Sequence, residues 1–226
     1  MNTKAYTCTE SCEGTGGIVF AKSNIEARKS AASIWGDGDL AGWRIYRSPG
    51  LDKYRNSDVP TQVLIEDGWF FECHGCGMKM DETSLADELL PVSGVVGKQN
   101  GRSFCSHQCR MDHSARTAAA KAYGEAFLDM MKEGLAKRFA GAELSFGEHR
   151  HHVYVHSWDS PLVVQQARVG FSYPGAKLGS AHLCYDKNGP NNYDEVSCGR
   201  WYYSVPFGDV KTYEAWAADF PRLGYI

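Results

Sequence analysis

Two pairs of cysteines near the middle of the chain constrain its fold more than any other feature. Cys73 and Cys76 form a Cys-x-x-Cys pair, and Cys105 and Cys109 form a Cys-x-x-x-Cys pair after 28 intervening residues. Two such pairs are typical of a structural zinc site in which four thiolates surround the ion. The sequence therefore predicts one structural Zn²⁺ with these four ligands, the alternative being four unrelated buried thiols.

The residues around the two pairs favour the zinc interpretation. Gly75 and Gly77 flank the second thiol, where a tight knuckle needs backbone angles that other residues avoid. Ser106 stands where it would cap a helix, and a thiolate in the first turn of that helix benefits from the positive end of its dipole. We expect His74 and His107 to be exposed rather than to replace a cysteine as ligand.

The sequence around the second pair resembles a known kind of zinc finger. Phe104-Cys105-Ser106-x-x-Cys109, preceded by a Cys-x-x-Cys pair, is similar to the TRASH and MYM-type fingers over about residues 70–115. The resemblance implies a treble-clef fold, in which a knuckle, a connecting loop and the first turn of a helix hold the ion. Such fingers serve in metal handling, protein contact and nucleic-acid contact, so no single activity is implied.

The other four cysteines give weaker signals. Cys8 and Cys12 lie near the N-terminus, and Cys184 and Cys198 lie in a region with strand-like composition. A second metal site built from both pairs is one interpretation. We favour the other, in which these thiols are buried or lie in a frayed terminus and bind no metal. A catalytic thiol needs a base and an orienting partner, and the sequence identifies neither.

Composition and charge set the broad class of the protein. The 226-residue chain has a formal net charge of −3 and contains ten Phe, twelve Tyr and six Trp, which predicts a folded chain and argues against a general polyanion binder. No apolar run approaches the roughly 20 residues of a membrane helix, and no secretory signal is evident. Eight cysteines in such a chain indicate a reducing compartment, so we expect a cytoplasmic location and no membrane partner.

We expect an α+β protein in three parts. Residues 1–68 form an N-terminal unit of strand and helix, residues 69–115 the treble-clef finger, and residues 116–226 a long helix with an antiparallel sheet. In the first part, an apolar strand at 18–21 precedes a capping box made by Ser23 and Glu26, and a helix ends at Gly36. The alternation in Trp43–Arg47 predicts another strand.

Residues 58–72 allow two structures. Asp67-Gly68 between two apolar runs fits a type I′ hairpin. In the other interpretation Asp58 caps a short helix with Pro60 in its first turn and Gly68 at its end, and we favour this helix because proline and glycine prefer those positions.

The last part begins with an uninterrupted helical pattern from Asp112 to about Ala140. Its predicted core face consists of Ala119, Tyr123, Ala126, Phe127, Met130 and Met131. Short segments rich in Val, Tyr, Phe and Trp then predict antiparallel strands near 142–146, 150–158, 162–173, 177–186 and 200–205. Asp209 is predicted to cap a final short helix that ends at about Phe220.

Two further segments are candidate functional surfaces. Five basic residues between positions 98 and 121 form what we call the basic stripe, which could contact phosphates or simply be solvated: Lys98, Arg102, Arg110, Arg116 and Lys121. In an extended segment His149 and His151 would share one face, a spacing that can chelate a metal, although an exposed polar strand fits better. His182 is the other candidate ligand in this region.

These observations give three hypotheses of function. The first is a non-enzymatic zinc-binding protein that acts through an unidentified protein partner. The second is a nucleic-acid binder that uses the basic stripe, and the third is a metalloenzyme centred on His149 and His151. No catalytic residue is assigned, because the sequence holds no glycine-rich phosphate loop, HExxH or GxSxG motif.

The chain as a whole is similar to small proteins of phages and prophages. The features that carry this resemblance are a predicted strand and helix at the start, Gly-Trp-Phe-Phe-Glu-Cys-His-Gly-Cys at 68–76, a long helix and an irregular sheet. The resemblance implies the cytoplasm of a bacterial host. It also implies an accessory role, such as inhibition of a host defence.

Overall fold

The chain divides into two compact units, Met1–His113 and Ser114–Ile226, which are described here one at a time. The computed structural model describes residues 3–12, 14–139, 141–145, 151–158, 160–188 and 201–220. Both units combine helices with antiparallel sheets, which confirms the predicted α+β class.

The first unit begins with a three-stranded antiparallel sheet. Its strands are β1 (Lys4–Glu10), β2 (Gly16–Ala21) and β3 (Trp43–Arg47), in the order β2-β1-β3. Helix α1 (Asn24–Trp35) packs on β2 and β3. The predicted strand, helix and strand are therefore present, but the central strand β1 was not identified from the sequence. Its segment alternates poorly between apolar and polar residues, although Ala5 and Cys8 are fully buried.

The predicted capping box of α1 is confirmed. Ser23 Oγ accepts a hydrogen bond from the Glu26 amide at 3.3 Å, and the Glu26 carboxylate accepts one from the Lys22 amide at 2.8 Å. The helix ends at Gly36, whose amide donates to the Ala32 carbonyl. Local hydrogen bonding thus fixes both ends of this helix, as its sequence indicates.

The segment after β3 settles the choice between hairpin and helix. Helix α2 (Thr61–Glu66) is present, and Gly68 follows it with a left-handed φ of 89°. Pro60 occupies the N-cap position, so the predicted cap by Asp58 is wrong: the Asp58 carboxylate instead accepts hydrogen bonds from Lys98 and Asn100.

Strands β4 (Phe71–Glu72) and β5 (Lys79–Met80) then form a short hairpin, and helix α3 (Glu82–Asp87) follows it.

Helix α4 (His107–Arg138) begins in the first unit and continues into the second. Its predicted core face is partly wrong. Tyr123 and Met130 are 43% and 40% exposed, and Ala119 and Ala126 are exposed as well, whereas Met131 is buried and Phe127 packs on the core. The buried positions of α4 are Ala120, Gly124, Met131 and Leu135. A Cβ at Gly124 would meet Val153 and Val155, so glycine there allows close packing of the helix.

The second unit contains the predicted C-terminal antiparallel sheet. Its strands are β6 (Glu143–Leu144), β7 (His151–Val155), β8 (Val164–Ser172), β9 (Ala181–Asp186) and β10 (Trp201–Ser204). The order is β10-β9-β8, and β8 pairs with both β6 and β7 on its other edge. Phe139, Phe171 and Leu183 belong to a core that one face of this sheet shares with the second half of α4.

The final helix α5 (Val210–Ala217) is present where the sequence predicts it. Asp209 precedes it, but its side chain makes no capping bond, so that detail of the prediction is wrong. The buried Asp209 carboxylate accepts hydrogen bonds from the Lys177 and Leu178 amides instead, at 3.1 and 2.7 Å. The carboxylate therefore fixes the loop before β9 rather than the helix.

In the part of the chain that the structure describes, no helix combines the length with the apolar character needed to cross a lipid bilayer.

The packing of α4 on β7 gives a direct test of the fold. A side chain at Gly124 would meet Val153 and Val155, since a Cβ there lies 3.0 and 3.2 Å from their methyl carbons. We expect Gly124→Leu to lower the free energy of unfolding by about 1–3 kcal/mol through overpacking. The exposed Ala122→Leu is the matched control and should be nearly neutral. Urea unfolding of both variants checks this, and equal midpoints would contradict the packing.

Candidate metal centre

The first half of the site is a tight turn between β4 and β5. Cys73 ends the first strand, and its amide donates to the Met78 carbonyl at 2.8 Å. The Gly77 amide donates to the Cys73 carbonyl at 2.8 Å, and Gly77 has a left-handed φ of 77°. Glycine adopts that angle without strain, so the turn places Cys73 and Cys76 on one side of the hairpin. The predicted knuckle is therefore present.

The second half of the site is the start of α4. The Ser106 hydroxyl accepts a hydrogen bond from the Cys109 amide at 3.0 Å, and the Ser106 carbonyl accepts one from the Arg110 amide. Ser106 thus caps the helix, as predicted, and this cap fixes Cys105 just before the first turn and Cys109 within it. Both sulfurs lie near the positive end of the helix dipole, which stabilises negative charge.

The four sulfur atoms lie together. Cys73, Cys76, Cys105 and Cys109 place their Sγ atoms within 4.8 Å of one another. The Cys73–Cys109 and Cys76–Cys105 sulfur distances are 3.6 and 3.8 Å, too long for disulfides, which measure about 2.05 Å. A tetrahedral zinc ion with bonds of about 2.3 Å separates its sulfur ligands by about 3.8 Å. The spacing of the sulfurs therefore fits a tetrahedral metal centre.

The thiol pKa values show why this cluster favours a cation. Burial raises the pKa of Cys73, but amide donors from Cys105, Cys76 and Gly75 outweigh it and bring the pKa to about 7. Burial raises the pKa of Cys105 to about 11, and its thiol neighbours raise it too. The pKa of Cys109 is raised for the same reasons. One thiolate thus forms readily and opposes the ionisation of its neighbours, and a divalent ion removes that opposition.

Gly75 leaves the space that the cluster needs. A Cβ on Gly75 would come much closer to the Cys109 sulfur than van der Waals contact allows, and would lie 3.1 Å from the Cys109 carbonyl oxygen. The Gly75 amide also points at the Cys73 sulfur, 3.4 Å away, and the Cys105 amide lies 3.2 Å from the same sulfur. The backbone therefore approaches the sulfurs closely and supplies two N–H groups to one of them.

A small core of its own supports the centre. Cys73 and Cys105 are buried together with apolar side chains from α2, α3 and the two hairpin strands, among them Ile65, Met80 and Leu85. Cys76 is exposed and Cys109 is half-buried, so the cluster lies at the edge of this core. A bound ion would join the hairpin to the start of α4 beside this core.

Aromatic rings beside the centre were not identified from the sequence. His74 and His113 lie 5.2 Å apart, ring centre to ring centre, and both contact Phe104. No local pattern links residues 39 positions apart, so the sequence held no signal for this contact. His74 and His107 are exposed and lie outside the sulfur cluster, as predicted.

The residues of the basic stripe fall in both units. Lys98 forms an ion pair with Asp58 at 2.6 Å, and Lys121 lies 3.8 Å from Glu125. The Arg116 guanidinium lies over the Trp158 ring at 4.4 Å, while Arg102 and Arg110 are exposed. Lys98, Lys121 and Arg116 therefore have partners within the protein, and a common binding surface for nucleic acid stays a prediction.

The histidine site and the remaining cysteines gain less support. His149 lies outside the described residues, and His151 is in β7 opposite Val169. Among the described side chains, no group of three or more metal ligands occurs besides the four thiols. Cys8 and Cys184 are buried and Cys12 is exposed, without a disulfide, while Cys198 lies outside the described residues. Burial raises the pKa of Cys8 to about 11, which makes it a poor nucleophile.

Comparisons with known proteins add no relative: no protein-family model, curated protein or solved structure matches this chain. The resemblance to TRASH and MYM-type fingers therefore depends on the motif and on the sulfur geometry alone.

Removal of one sulfur tests the centre. We expect Cys73→Ser to lose its bound metal and to lower the melting temperature, because structural zinc contributes folding free energy directly. Cys12→Ser, at an exposed thiol outside the cluster, is the matched control and should keep both properties. Elemental analysis and thermal unfolding provide the measurements. A Cys73→Ser protein that retains one ion and its melting temperature would refute the assignment.

The close approach of Gly75 gives a second test. Gly75→Ala forces a methyl group against the Cys109 sulfur, so we expect zinc affinity to fall about 10- to 100-fold, as is common when groups around a metal ligand are changed. Gly50→Ala serves as control, since its Cβ would meet no neighbouring atom. Competition with a coloured chelator measures both affinities, and an unchanged value for Gly75→Ala would show that the ion is held elsewhere.

Proposed function

We propose that this chain is a non-enzymatic zinc-binding protein, with a treble-clef finger over about residues 70–115, that acts by binding a protein partner. The observation that carries the zinc assignment is the group of four sulfurs within 4.8 Å of one another. Knuckle, connecting segment and capped helix follow one another in the order that the treble clef requires. Zinc fits best among common metals because four thiolates in a tetrahedral arrangement suit it.

The chemistry of the ligand set supports a structural rather than a catalytic ion. Catalytic zinc keeps three protein ligands and an open position for water or substrate, whereas four protein ligands close the coordination shell. A closed shell leaves the ion no site at which to activate water. The contribution of the metal is then to fix the surface around it, and such a surface acts by binding another molecule.

Binding of nucleic acid is the second candidate function. Arg102 supports it, because its side chain is exposed and lies close to the metal centre in sequence. The internal partners of Lys98, Lys121 and Arg116 speak against it, since a phosphate would have to displace or share them. We therefore place the protein partner first. An accessory role for a phage in a bacterial host stays a further prediction within the same proposal.

The decisive experiment combines metal analysis with X-ray absorption. Purified full-length protein should contain one zinc per chain, and its absorption spectrum should show four sulfur neighbours at about 2.3 Å. Histidine or water in the coordination shell would contradict a closed four-sulfur site. No bound metal would contradict the proposal as a whole.

Salt dependence separates the two candidate functions. A nucleic-acid binder should retain duplex DNA or RNA at low salt and lose it steeply as salt rises, with Arg110→Glu weakening retention. Lys29→Glu, on the exposed side of α1 outside the basic stripe, is the matched control. Absence of salt-sensitive retention is the result that the protein-partner proposal expects, and retention abolished by Arg110→Glu alone would replace it with the second candidate.

A further inference from the structure

An aromatic cleft in the first unit contains none of the four clustered cysteines. It has a volume of about 320 Å³. Four aromatic side chains and three polar side chains line it, together with Leu64 and three glycines at the start of β2 and just before it: Trp35, Trp69, Phe70, Phe71, Thr15, Gln99 and Asn100. The volume is at the low end of the range for ligand pockets, so it suits a single side chain or a small molecule.

Each side-chain amide of the cleft has one N–H bonded to the protein. Gln99 Nε2 donates to the Ile18 carbonyl at 2.8 Å, and Asn100 Nδ2 donates to the Asp58 carboxylate at 3.0 Å. These partners only accept hydrogen bonds, so each amide is fixed with its nitrogen on the protein. Within the described part of the chain, no hydrogen bond reaches Gln99 Oε1 or Asn100 Oδ1. Two carbonyl oxygens therefore remain to accept hydrogen bonds from a ligand.

The hydroxyl of the cleft follows the same pattern. Thr15 Oγ1 donates to the Glu10 carboxylate at 3.0 Å, so its lone pairs remain as acceptors. None of the lining residues is charged, but two of them contact carboxylates: Glu10, and Asp58, which also pairs with Lys98 at 2.6 Å. Residues 58–72 contain four acidic side chains and no Lys or Arg. Acceptors, aromatic faces and nearby negative charge together suit a ligand that brings hydrogen-bond donors and positive charge.

The rim of the cleft already holds one cation. The Lys79 ammonium lies 4.9 Å from the centre of the Phe70 ring, and this ring is 64% exposed. An arginine guanidinium suits such walls better than an ammonium, because it is planar, weakly hydrated and able to stack on aromatic rings while it donates in its plane. Aromatic clusters of this kind, with tryptophan, are also typical of the energetic centre of protein interfaces.

We propose that this cleft binds the guanidinium of an arginine side chain on the protein partner. This inference rests on the proposed function, since that function supplies the partner. The guanidinium stacks on the aromatic walls and donates to Gln99 Oε1 and Asn100 Oδ1. The source is a peptide arginine rather than a free metabolite, because no charged side chain lines the cleft and the Lys79 ammonium at its rim is already paired with Asp81 at 2.6 Å.

The test uses zinc-loaded full-length protein labelled with ¹⁵N and titrated with N-acetyl-arginine amide. We expect saturable shifts at the indole signals of Trp35 and Trp69, and binding about fivefold tighter than for N-acetyl-lysine amide. Equal binding of the two amides, tighter binding of adenosine, or no shift at these indoles would overturn the proposal. Tighter binding of free arginine than of its capped amide would overturn the assignment to a peptide side chain.

Two pairs of variants locate the binding site. Phe70→Ala should weaken binding about two- to fivefold by removing one aromatic wall, and Tyr46→Ala, at a 59% exposed tyrosine outside the cleft, should leave it unchanged. Asn100→Lys should abolish binding by placing a positive charge at the cleft, whereas Asn56→Lys adds the same charge at an exposed position outside it. Equal effects within either pair would show that arginine binds elsewhere.

Metal content measured on the same samples separates this inference from the proposed function. One zinc per chain without arginine binding overturns the cleft and leaves the zinc site intact. Arginine binding by protein that contains no metal overturns the zinc site and supports the cleft.

Discussion

Repulsion among four closely spaced sulfurs, which a divalent ion would relieve, is the interaction on which the middle of the first unit depends. The cluster brings together thiols from a hairpin and from a helix start, and the first of them to ionise opposes ionisation of the rest. The apolar core beside them includes Ile65, Met80 and Leu85. A bound ion would convert this repulsive group into a link between the hairpin and α4.

Backbone groups around the sulfurs are arranged as a bound metal would require. Two amides point at the Cys73 sulfur, the Ser106 cap fixes the first turn of α4, and Gly75 leaves room for the Cys109 sulfur. The same unit carries the aromatic cleft, where side-chain amides are likewise held by protein acceptors. In both places hydrogen bonds orient the binding groups in advance, which lowers the entropy lost when a ligand binds.

Features with a local signal could be predicted from the sequence, and features set by distant contacts could not. Cysteine spacing, the Ser23 and Ser106 caps and the glycine after α2 each depend on a few neighbouring residues, and the structure contains all of them. Strand β1 was not identified, because its burial comes from pairing with β2 and β3 rather than from its own pattern. Asp209 was predicted to cap α5, because no neighbouring residue indicates that it binds a loop more than 30 residues earlier. The aromatic cleft gave no sequence signal either, since its walls come from four separate segments.

The unequal burial of the four sulfurs has a consequence for how an ion would leave. Cys73 and Cys105 are shielded, whereas Cys76 is open to solvent. A full coordination shell exchanges its ion only after one ligand detaches, and an incoming chelator or thiol reaches Cys76 first. The lifetime of a bound ion would therefore depend on the exposed rim of the knuckle, at Cys76.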